Sequence, residues 1–381
     1  MTAPHSHPHL PSPADPGSVR EERREARDEV EEVAAGILRL QLPIDFPGLG
    51  HVNCYAMEDS KGVVLIDPGL PGPRSRRALK KKLDSIGLPL ERVHTVVVTH
   101  SHPDHFGQAA YLKRHIGADV LAHRAFRTFL DPTAEADDEE AVTVLDQSVG
   151  LPSPERQAST IDGRPKSLDG PLIDSTPWGG KPYEMPFRRR LKYRLMRRAA
   201  GRFIATPSPT VKVEDADIIR LGNREWISVH TPGHTIDHLC LWDPTDGVMI
   251  TGDHVLPTIT PHISGLGATV DPLEDFFRSL DRMATFDGVR TVLPAHGLDF
   301  VDLAGRAQSI KDHHAERLDK LRESSDHLGS GTVSEYMKEL FLERSWGPMA
   351  ESETYAHLEH LKFLGEAHVR VDDHQLRYEF N

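Results

Sequence analysis

The 381-residue chain is poor in several features that define broad protein classes. It has two cysteines, Cys54 and Cys240, and each lies within an apolar stretch. Two such residues cannot form the dense disulfide network of a small secreted domain, so we expect free thiols in the core. No apolar run approaches the roughly 20 residues that a membrane-spanning helix requires. The N-terminus lacks the basic start and apolar stretch of a secretory signal, which predicts a soluble, cytoplasmic protein that does not contact a membrane.

Positive charge is outnumbered by negative charge. Lysine and arginine number 45 against 58 aspartates and glutamates, which gives a formal net charge of −13. This excess of acid opposes non-specific binding of nucleic acid by the whole surface. The segment from Arg188 to Arg202 is the exception, because it carries eight basic residues and no acid. It could receive an anionic substrate such as a coenzyme A phosphate or an RNA backbone.

Changes of pattern along the chain predict three parts. Residues 1–35 are rich in proline, serine and histidine and then in mixed charges, which predicts a disordered or helical N-terminal extension. Residues 36–300 alternate β-branched strands with amphipathic helices, so an α/β domain is expected, with an insertion at about residues 128–210. Residues 301–381 predict three helices and a β-hairpin, which is typical of a winged-helix-like domain.

The strongest chemical signal is the run THSHPDH, which directly follows the apolar strand VHTVVV. Side chains at alternate positions of an extended loop point the same way, so His100 and His102 can bind one metal ion. Asp104 and His105 then turn towards a second ion. A histidine-rich surface loop is the alternative, but it would account for the composition and not for the spacing.

Three more candidate ligands follow predicted strands further along the chain. His234 lies in HTPGH, Asp253 in ITGDH and His296 in LPAHG. Open sheets present their chemistry at strand ends, and the neighbouring glycines allow tight turns that aim a side chain inward. These residues would complete two metal sites.

In this order, the residues resemble the metallo-β-lactamase superfamily pattern of Asp, then HxHxDH, then His, Asp and His. The resemblance covers about residues 36–300 and implies an αββα sandwich, followed here by the C-terminal helical, winged-helix-like domain. It implies that His100, His102 and His234 hold one ion, that Asp104, His105 and His296 hold the other, and that Asp253 bridges them. Asp67, in LIDPGL, matches a further motif whose aspartate supports the ligands by hydrogen bonding.

The ligand set and the resemblance together suggest the chemistry. Nitrogen and oxygen ligands suit two divalent ions, with zinc as the default and iron or manganese as alternatives. Asp253 replaces the cysteine common in the main zinc-dependent resistance lactamases, and His102 replaces the glutamate typical of diiron oxygen reductases, so neither activity is favoured. A hydroxide shared by two ions would attack directly, with Asp104 or Asp253 accepting the proton of the water.

The substrate is the least determined feature. The stretches NCYAM, TPGHT and TGD are similar to the hydroxyacylglutathione hydrolase (glyoxalase II) branch, which implies a thioester or ester such as an acyl-CoA, an acyl-glutathione or a lactone. The C-terminal region is similar to the branch of the β-lactamase-like endoribonuclease, so a single-stranded RNA endonuclease is the first alternative. A metal-binding, non-catalytic interaction module is the second. Residues 303–381 contain 15 acids and 10 bases, which favours a lid or a homodimer element over an RNA-binding domain.

Four further histidines are predicted to have roles other than binding metal. His51 and His262 are expected on exposed loops from which either could touch a substrate. His238 and His254 could face the site, or they could support the ligands or pack between strands.

Overall fold

A computed structural model describes residues 19–46, 48–128, 176–179, 205–267 and 269–381. The basic segment from Arg188 to Arg202 and most of the predicted insertion lie outside the described residues. Among the described residues, no helix combines the length and apolar character needed to cross a bilayer.

The strands form two large sheets and one small one. The first sheet has the order β1-β2-β3-β4-β5-β6-β7, antiparallel from β1 to β4 and parallel from β4 to β7. Its strands are β1 (Val30–Ala34), β2 (Ile37–Phe46), β3 (Leu49–Asp59), β4 (Gly62–Ile66), β5 (Val93–Val97), β6 (Asp119–His123) and β7 (Val211–Val213). The second sheet has the order β12-β11-β10-β9-β8, in which only β11 and β12 are parallel. Its strands are β8 (Ile218–Leu221), β9 (Arg224–His230), β10 (Leu239–Asp243), β11 (Val248–Gly252) and β12 (Thr291–Pro294).

Helices cover the outer faces of both sheets. The connections between strands of the first sheet contain three helices: α1 (Pro73–Ser85) between β4 and β5, and α2 (Pro103–Phe106) and α3 (Ala109–Ile116) between β5 and β6. In the second sheet, α4 (Pro272–Met283) connects β11 to β12. Three more helices follow β12: α5 (Leu303–Leu328), α6 (Val333–Leu340) and α7 (Pro348–Phe363). Helices α4 and α5 each begin at a capping aspartate. The side chains of Asp271 and Asp302 accept hydrogen bonds from the backbone amides of Glu274 and Gly305, respectively.

Alternation of side chains along the strands builds the layers. Val63 and Leu65 of β4 belong to the core beneath α1 and α3, whereas Val64 and Ile66 point into the core between the two sheets. On β10, Leu239 and Leu241 face the first sheet, while Cys240 and Trp242 pack towards α4 and α5. Four layers result, which confirms the predicted αββα sandwich.

The two cysteines confirm the prediction of free core thiols. Cys54 belongs to the core under the first sheet and Cys240 to the core on the far side of the second, and both are buried and unpaired. Burial raises the pKa of the Cys240 thiol to about 12, so this thiol is unreactive at neutral pH.

The C-terminal region adds three helices and a three-stranded sheet of order β13-β15-β14. Its strands are β13 (Ser330–Thr332), β14 (Ala367–Asp372) and β15 (Gln375–Phe380). The predicted hairpin is present, and its two turn residues, Asp373 and His374, have positive φ angles of 47° and 60°, as a type I′ turn requires. Leu376 and Tyr378 of β15 share one apolar core with the helices over the second sheet.

The N-terminal segment differs from the sequence prediction. Residues 30–34, assigned to a disordered or helical extension, form the edge strand β1 paired with β2, and Glu21–Arg23 form a single 3-10 turn. The mixed charges suggested a solvated helix, but Val30 and Val33 are partly buried against the sheet while Glu31 and Glu32 are exposed. Pairing with β2 stabilises the segment in a way that local composition does not encode.

Candidate metal centre

The loop after β5 begins the centre. Just beyond the end of the strand, His100 and His102 bring Nε2 and Nδ1, respectively, to 3.0 Å from each other. Pro103 then starts the short helix α2, which carries the next two candidate ligands, Asp104 and His105. His105 Nε2 lies 3.6 Å from Asp104 Oδ2. One loop therefore starts two separate groups of donor atoms.

The first group is completed from the second sheet. His234, on the loop after β9, places Nε2 at 3.1 Å from His102 Nδ1. Asp253, directly after β11, places Oδ2 at 3.5 Å from His234 Nε2 and at 3.9 Å from His100 Nε2. One donor atom from each of His100, His102, His234 and Asp253 lies within 4.8 Å of the others.

The second group consists of Asp104, His105 and His296. His296 follows β12, and its Nε2 lies 3.6 Å from Asp104 Oδ2. Asp253 also reaches this group, because its Oδ1 is 3.2 Å from His296 Nε2 and its Oδ2 is 3.6 Å from His105 Nε2. The carboxylate of Asp253 therefore lies between the two groups. All seven residues predicted as ligands are brought together.

The buried donor atoms fit metal ions. Within the described residues, His105 Nε2, His296 Nε2 and Asp253 Oδ1 are buried and have no hydrogen-bond partner. Polar atoms in the interior of a folded protein are rarely left without a partner. Imidazole nitrogen and carboxylate oxygen are ligands of divalent cations such as zinc, and bound cations would satisfy these atoms.

In three ligand histidines, Nδ1 has a fixed hydrogen-bond partner, and this partner determines the tautomer. His105 Nδ1 lies 2.8 Å from Asp67 Oδ2, His296 Nδ1 lies 2.7 Å from the carbonyl oxygen of His51, and His234 Nδ1 lies 2.8 Å from the carbonyl oxygen of His262. A carbonyl oxygen only accepts, so the Nδ1 atoms of His234 and His296 donate. In the neutral imidazole their Nε2 atoms then carry the lone pair that a metal ion needs.

Asp67 matches its predicted supporting role in position. It follows β4, accepts hydrogen bonds from the backbone amide of Thr99 at 2.9 Å and from the Thr99 hydroxyl at 2.7 Å, and is 1% exposed. Its φ of +54° lies in the left-handed region, which aspartate and asparagine tolerate better than most residues. This turn aims the carboxylate at both Thr99 and His105.

Burial and neighbouring charge shift the ionisation of the centre. Burial lowers the pKa values of His100 and His102 well below the usual range, and neighbouring histidines reinforce the shift. Burial also opposes charge on His105, but Asp104, Asp253 and Asp67 outweigh it and hold its pKa well above the usual range. Burial would raise the pKa of Asp253, yet His296 and His105 hold it well below normal. The carboxylate is therefore ionised and available as a ligand at neutral pH.

The four additional histidines have different environments. His51 was expected on an exposed loop, but it is fully buried in β3, so this prediction is wrong; pairing with β2 places its carbonyl oxygen against His296. His238 is buried and its Nε2 accepts a hydrogen bond from the backbone amide of Asp253 at 3.1 Å. His254 is buried with its ring 5.0 Å from that of Phe276. The side chain of His262 is 23% exposed, and its Nδ1 is 3.3 Å from Glu353 Oε2.

Sequence reasoning missed several residues near the centre. Asp237 accepts a hydrogen bond at 3.0 Å from the hydroxyl of Ser101, the residue between the first two histidines. Glu353 of α7 forms an ion pair with Arg317 of α5 beside His262. The position of Asp237 between His234 and His238 was a usable signal. Nothing local marks Glu353, because it lies 91 residues from His262 in the chain.

Comparison with known proteins agrees with this geometry. Residues 47–296 match the family model described as the metallo-beta-lactamase superfamily. The chain belongs to this superfamily. Membership accounts for the shared pattern of ligands at the strand ends, and it makes the protein a metal-dependent hydrolase.

Individual superfamily members are similar over different lengths. The probable metallo-hydrolase YqjP of Bacillus subtilis (strain 168) is 25% identical over 340 residues, which cover 86% of this chain and 92% of that protein. A crystal structure of a metallo-beta-lactamase family protein from Thermus thermophilus is 26% identical with a TM-score of 0.68, covering 92% of this chain and all of that one. The atrochrysone carboxyl ACP thioesterase AgnL7 of Paecilomyces divaricatus is 30% identical over 130 residues, which cover 32% of this chain and 39% of that protein.

Proposed function

We propose that the protein is a dinuclear hydrolase that cleaves a thioester or ester of a small anionic substrate. The observation that carries the proposal is the position of Asp253, whose two carboxylate oxygens lie 3.2 Å to 3.9 Å from histidine nitrogens of both groups. A carboxylate so placed can be shared by two ions. His100, His102 and His234 would hold the first ion, Asp104, His105 and His296 would hold the second, and zinc is the expected metal.

The solvent-facing side of the centre supports a water-based reaction. The side chains of Asp104 and Asp253 are 17% and 11% exposed, whereas those of His100, His105 and His296 are fully buried. Water and substrate would therefore approach along the two carboxylates. Two bound divalent ions supply Lewis acidity, which lowers the pKa of a water and polarises a carbonyl oxygen.

The residues of the chain would then handle the proton. Asp104 or Asp253 accepts the proton that the attacking water loses as its oxygen bonds to the acyl carbon. The bond from that carbon to sulfur or oxygen breaks, and the proton passes to the leaving thiolate or alkoxide. The products are a carboxylic acid and a thiol or alcohol. No covalent nucleophile is required.

The choice of substrate class has two supports. AgnL7 is a thioesterase by name, although the similarity covers only a third of this chain. The motifs NCYAM and TPGHT resemble the glyoxalase II branch. The basic segment from Arg188 to Arg202 would bind an anionic part of the substrate, and it also keeps a single-stranded RNA endonuclease as the second candidate function.

The experiment is a substrate panel with metal analysis. Zinc-loaded protein is expected to contain two ions per chain and to hydrolyse a member of a panel of acyl-CoA, acyl-glutathione and lactone substrates. The same panel includes a short single-stranded RNA, and His102→Ala serves as the inactive control. A reproducible content of one ion would refute the dinuclear centre. RNA cleavage that His102→Ala abolishes, with no thioester or ester turnover, would favour the endonuclease.

A further inference from the structure

We propose that Glu22 is a positioning residue for the second group of ligands, Asp104, His105 and His296. It belongs to the N-terminal strap, defined here as residues 19–29, which precedes β1 and contacts Gly297, the residue after His296. The inference rests on the dinuclear centre proposed above. It assigns a role to a segment that shares no motif with the ligand loops.

Glu22 is held as a buried, hydrogen-bonded carboxylate. Its side chain is fully buried, and its oxygens accept hydrogen bonds from the Thr258 backbone amide at 2.9 Å and from the Thr258 hydroxyl at 2.8 Å and 2.7 Å. A buried carboxylate without such partners would be strongly destabilising. The strap is therefore joined to Thr258 by specific hydrogen bonds.

Thr258 lies on the loop that leaves Asp253, the carboxylate between the two groups. Arg306 of α5 holds the same loop by donating from Nε to the carbonyl oxygen of Leu256 at 2.6 Å and from Nη2 to that of Ile259 at 2.7 Å. Burial lowers the pKa of Arg306, and the charge of Glu22 opposes that shift, so the two side chains lie close enough to interact. The loop is thus hydrogen-bonded both to the buried carboxylate of Glu22 and to the largely buried guanidinium group of Arg306.

The strap also reaches His296. A Cβ added to Gly297 would lie 3.2 Å from Glu22 Cγ, so Glu22 packs directly against the residue after the ligand. The carbonyl oxygen of Arg24 accepts from His51 Nδ1 at 2.9 Å, which leaves His51 Nε2 as the acceptor for the Gly297 amide at 3.3 Å. The backbone of His51 in turn holds His296 Nδ1. The strap therefore reaches the neighbourhood of this ligand through the Glu22 side chain and, separately, through the Arg24 carbonyl oxygen.

The consequence is a larger effect on the second ion than on the first. The contacts with Gly297 and His51 lead to His296, which belongs to the second group alone. The contact with Thr258 leads to the loop after Asp253, whose carboxylate lies between the two groups. Hydrogen-bonding partners just outside a metal's ligands commonly change its affinity by about tenfold to a hundredfold when mutated. Glu22 acts through one further residue, so we expect the lower end of that range.

The test is a zinc titration of the full chain against a chromophoric chelator, with Glu22→Ala, Glu22→Gln and the matched control Glu25→Ala. Glu25 lies on the same strap and is exposed. The binding step that His296→Ala removes identifies the second group. We expect Glu22→Ala to weaken that step by about tenfold and the other step by clearly less. Glu22→Gln, which retains an acceptor for Thr258, should recover most of the loss, and Glu25→Ala should bind as the parent.

Three results would overturn the inference. Equal affinities in Glu22→Ala and Glu25→Ala would remove the positioning role. An equal weakening of both steps together with a lower melting temperature would show a general structural role instead. A parent chain that binds fewer than two ions would refute the dinuclear centre itself, and this inference with it. Should Glu22→Ala fail to fold, Thr258→Ala, which removes the hydroxyl partner from the loop side, is expected to weaken the same step.

Discussion

The hydrogen bond between Asp67 and His105 makes a sharp prediction about metal binding. In Asp67→Asn, the retained oxygen can still accept from the Thr99 amide at the observed 2.9 Å. The new amide nitrogen would then face His105 Nδ1, which is 2.8 Å from Asp67 Oδ2. Two donors cannot share this contact, so His105 must move its proton to Nε2. The atom that should bind the second ion would then carry a hydrogen.

The backbone should tolerate this substitution. Asparagine tolerates the positive φ of residue 67 as aspartate does, so the substitution leaves the backbone unstrained. Loss of a partner that orients a ligand histidine typically weakens metal binding by about tenfold to a hundredfold, or about 1.4 to 2.7 kcal/mol. We therefore expect the second ion to bind that much more weakly. The first should be affected less, because Asp67 reaches its ligand His100 only through the Thr99 hydroxyl.

Competition with a chromophoric chelator measures both binding steps at neutral pH. Asp59→Asn is the matched control, because Asp59 Oδ1 lies 3.0 Å from His94 Nε2 in a similar aspartate–histidine pair outside the metal centre. Excess zinc should restore turnover in Asp67→Asn, since only occupancy is impaired. Two ions bound to Asp67→Asn with parental affinity would refute the tautomer argument.

Three further predictions concern the bridge, acid stability and the basic segment. Asp253→Ala should lower turnover by at least about a hundredfold with little change in melting temperature, because the apolar strands hold the fold; near-normal turnover of the metal-loaded variant would contradict the bridging role. Burial lowers the pKa of His357 to about 4, so the unfolded chain binds more protons between that value and the ordinary pKa of about 6.5, and stability falls as pH falls through this window. His357→Gln should therefore reduce the loss of unfolding free energy between about pH 7.5 and about pH 5 by about 2 kcal/mol, as measured by urea denaturation, whereas the exposed His368→Gln should not. Replacing four arginines of the basic segment by serine should raise KM for an anionic thioester several-fold with kcat nearly unchanged, whereas RNA cleavage with a log-log salt slope steeper than about −2 would contradict the thioesterase assignment; the four are Arg189, Arg190, Arg194 and Arg197.

The active-site loop and most of the architecture were readable in the chain because the information is local. His100 and His102 stand two residues apart after a strand, and this spacing alone places their donor atoms together. The first of the three helices predicted in residues 301–381 is α5, and the aspartate that caps its N-terminus, Asp302, directly precedes it in the chain. The nearly continuous apolar runs of β4 and β10 are likewise typical of strands buried on both faces.

Tertiary structure decided what surrounds those ligands, because the contacts join residues that are distant in the chain. The prediction for His51 was wrong because local sequence does not specify the pairing of β2 with β3 that buries this residue. The ligand that it supports, His296, is 245 residues away in the chain. Glu22 and Thr258 are 236 residues apart, and the charged run around Glu22 is equally consistent with a solvated helix until the opposite loop is in place. The sequence by itself determined which residues could hold metal ions and at which strand ends they lie. Only the packing of two sheets, the N-terminal strap and the C-terminal helices decided how those residues are oriented, since orientation depends on hydrogen bonds formed when distant segments meet.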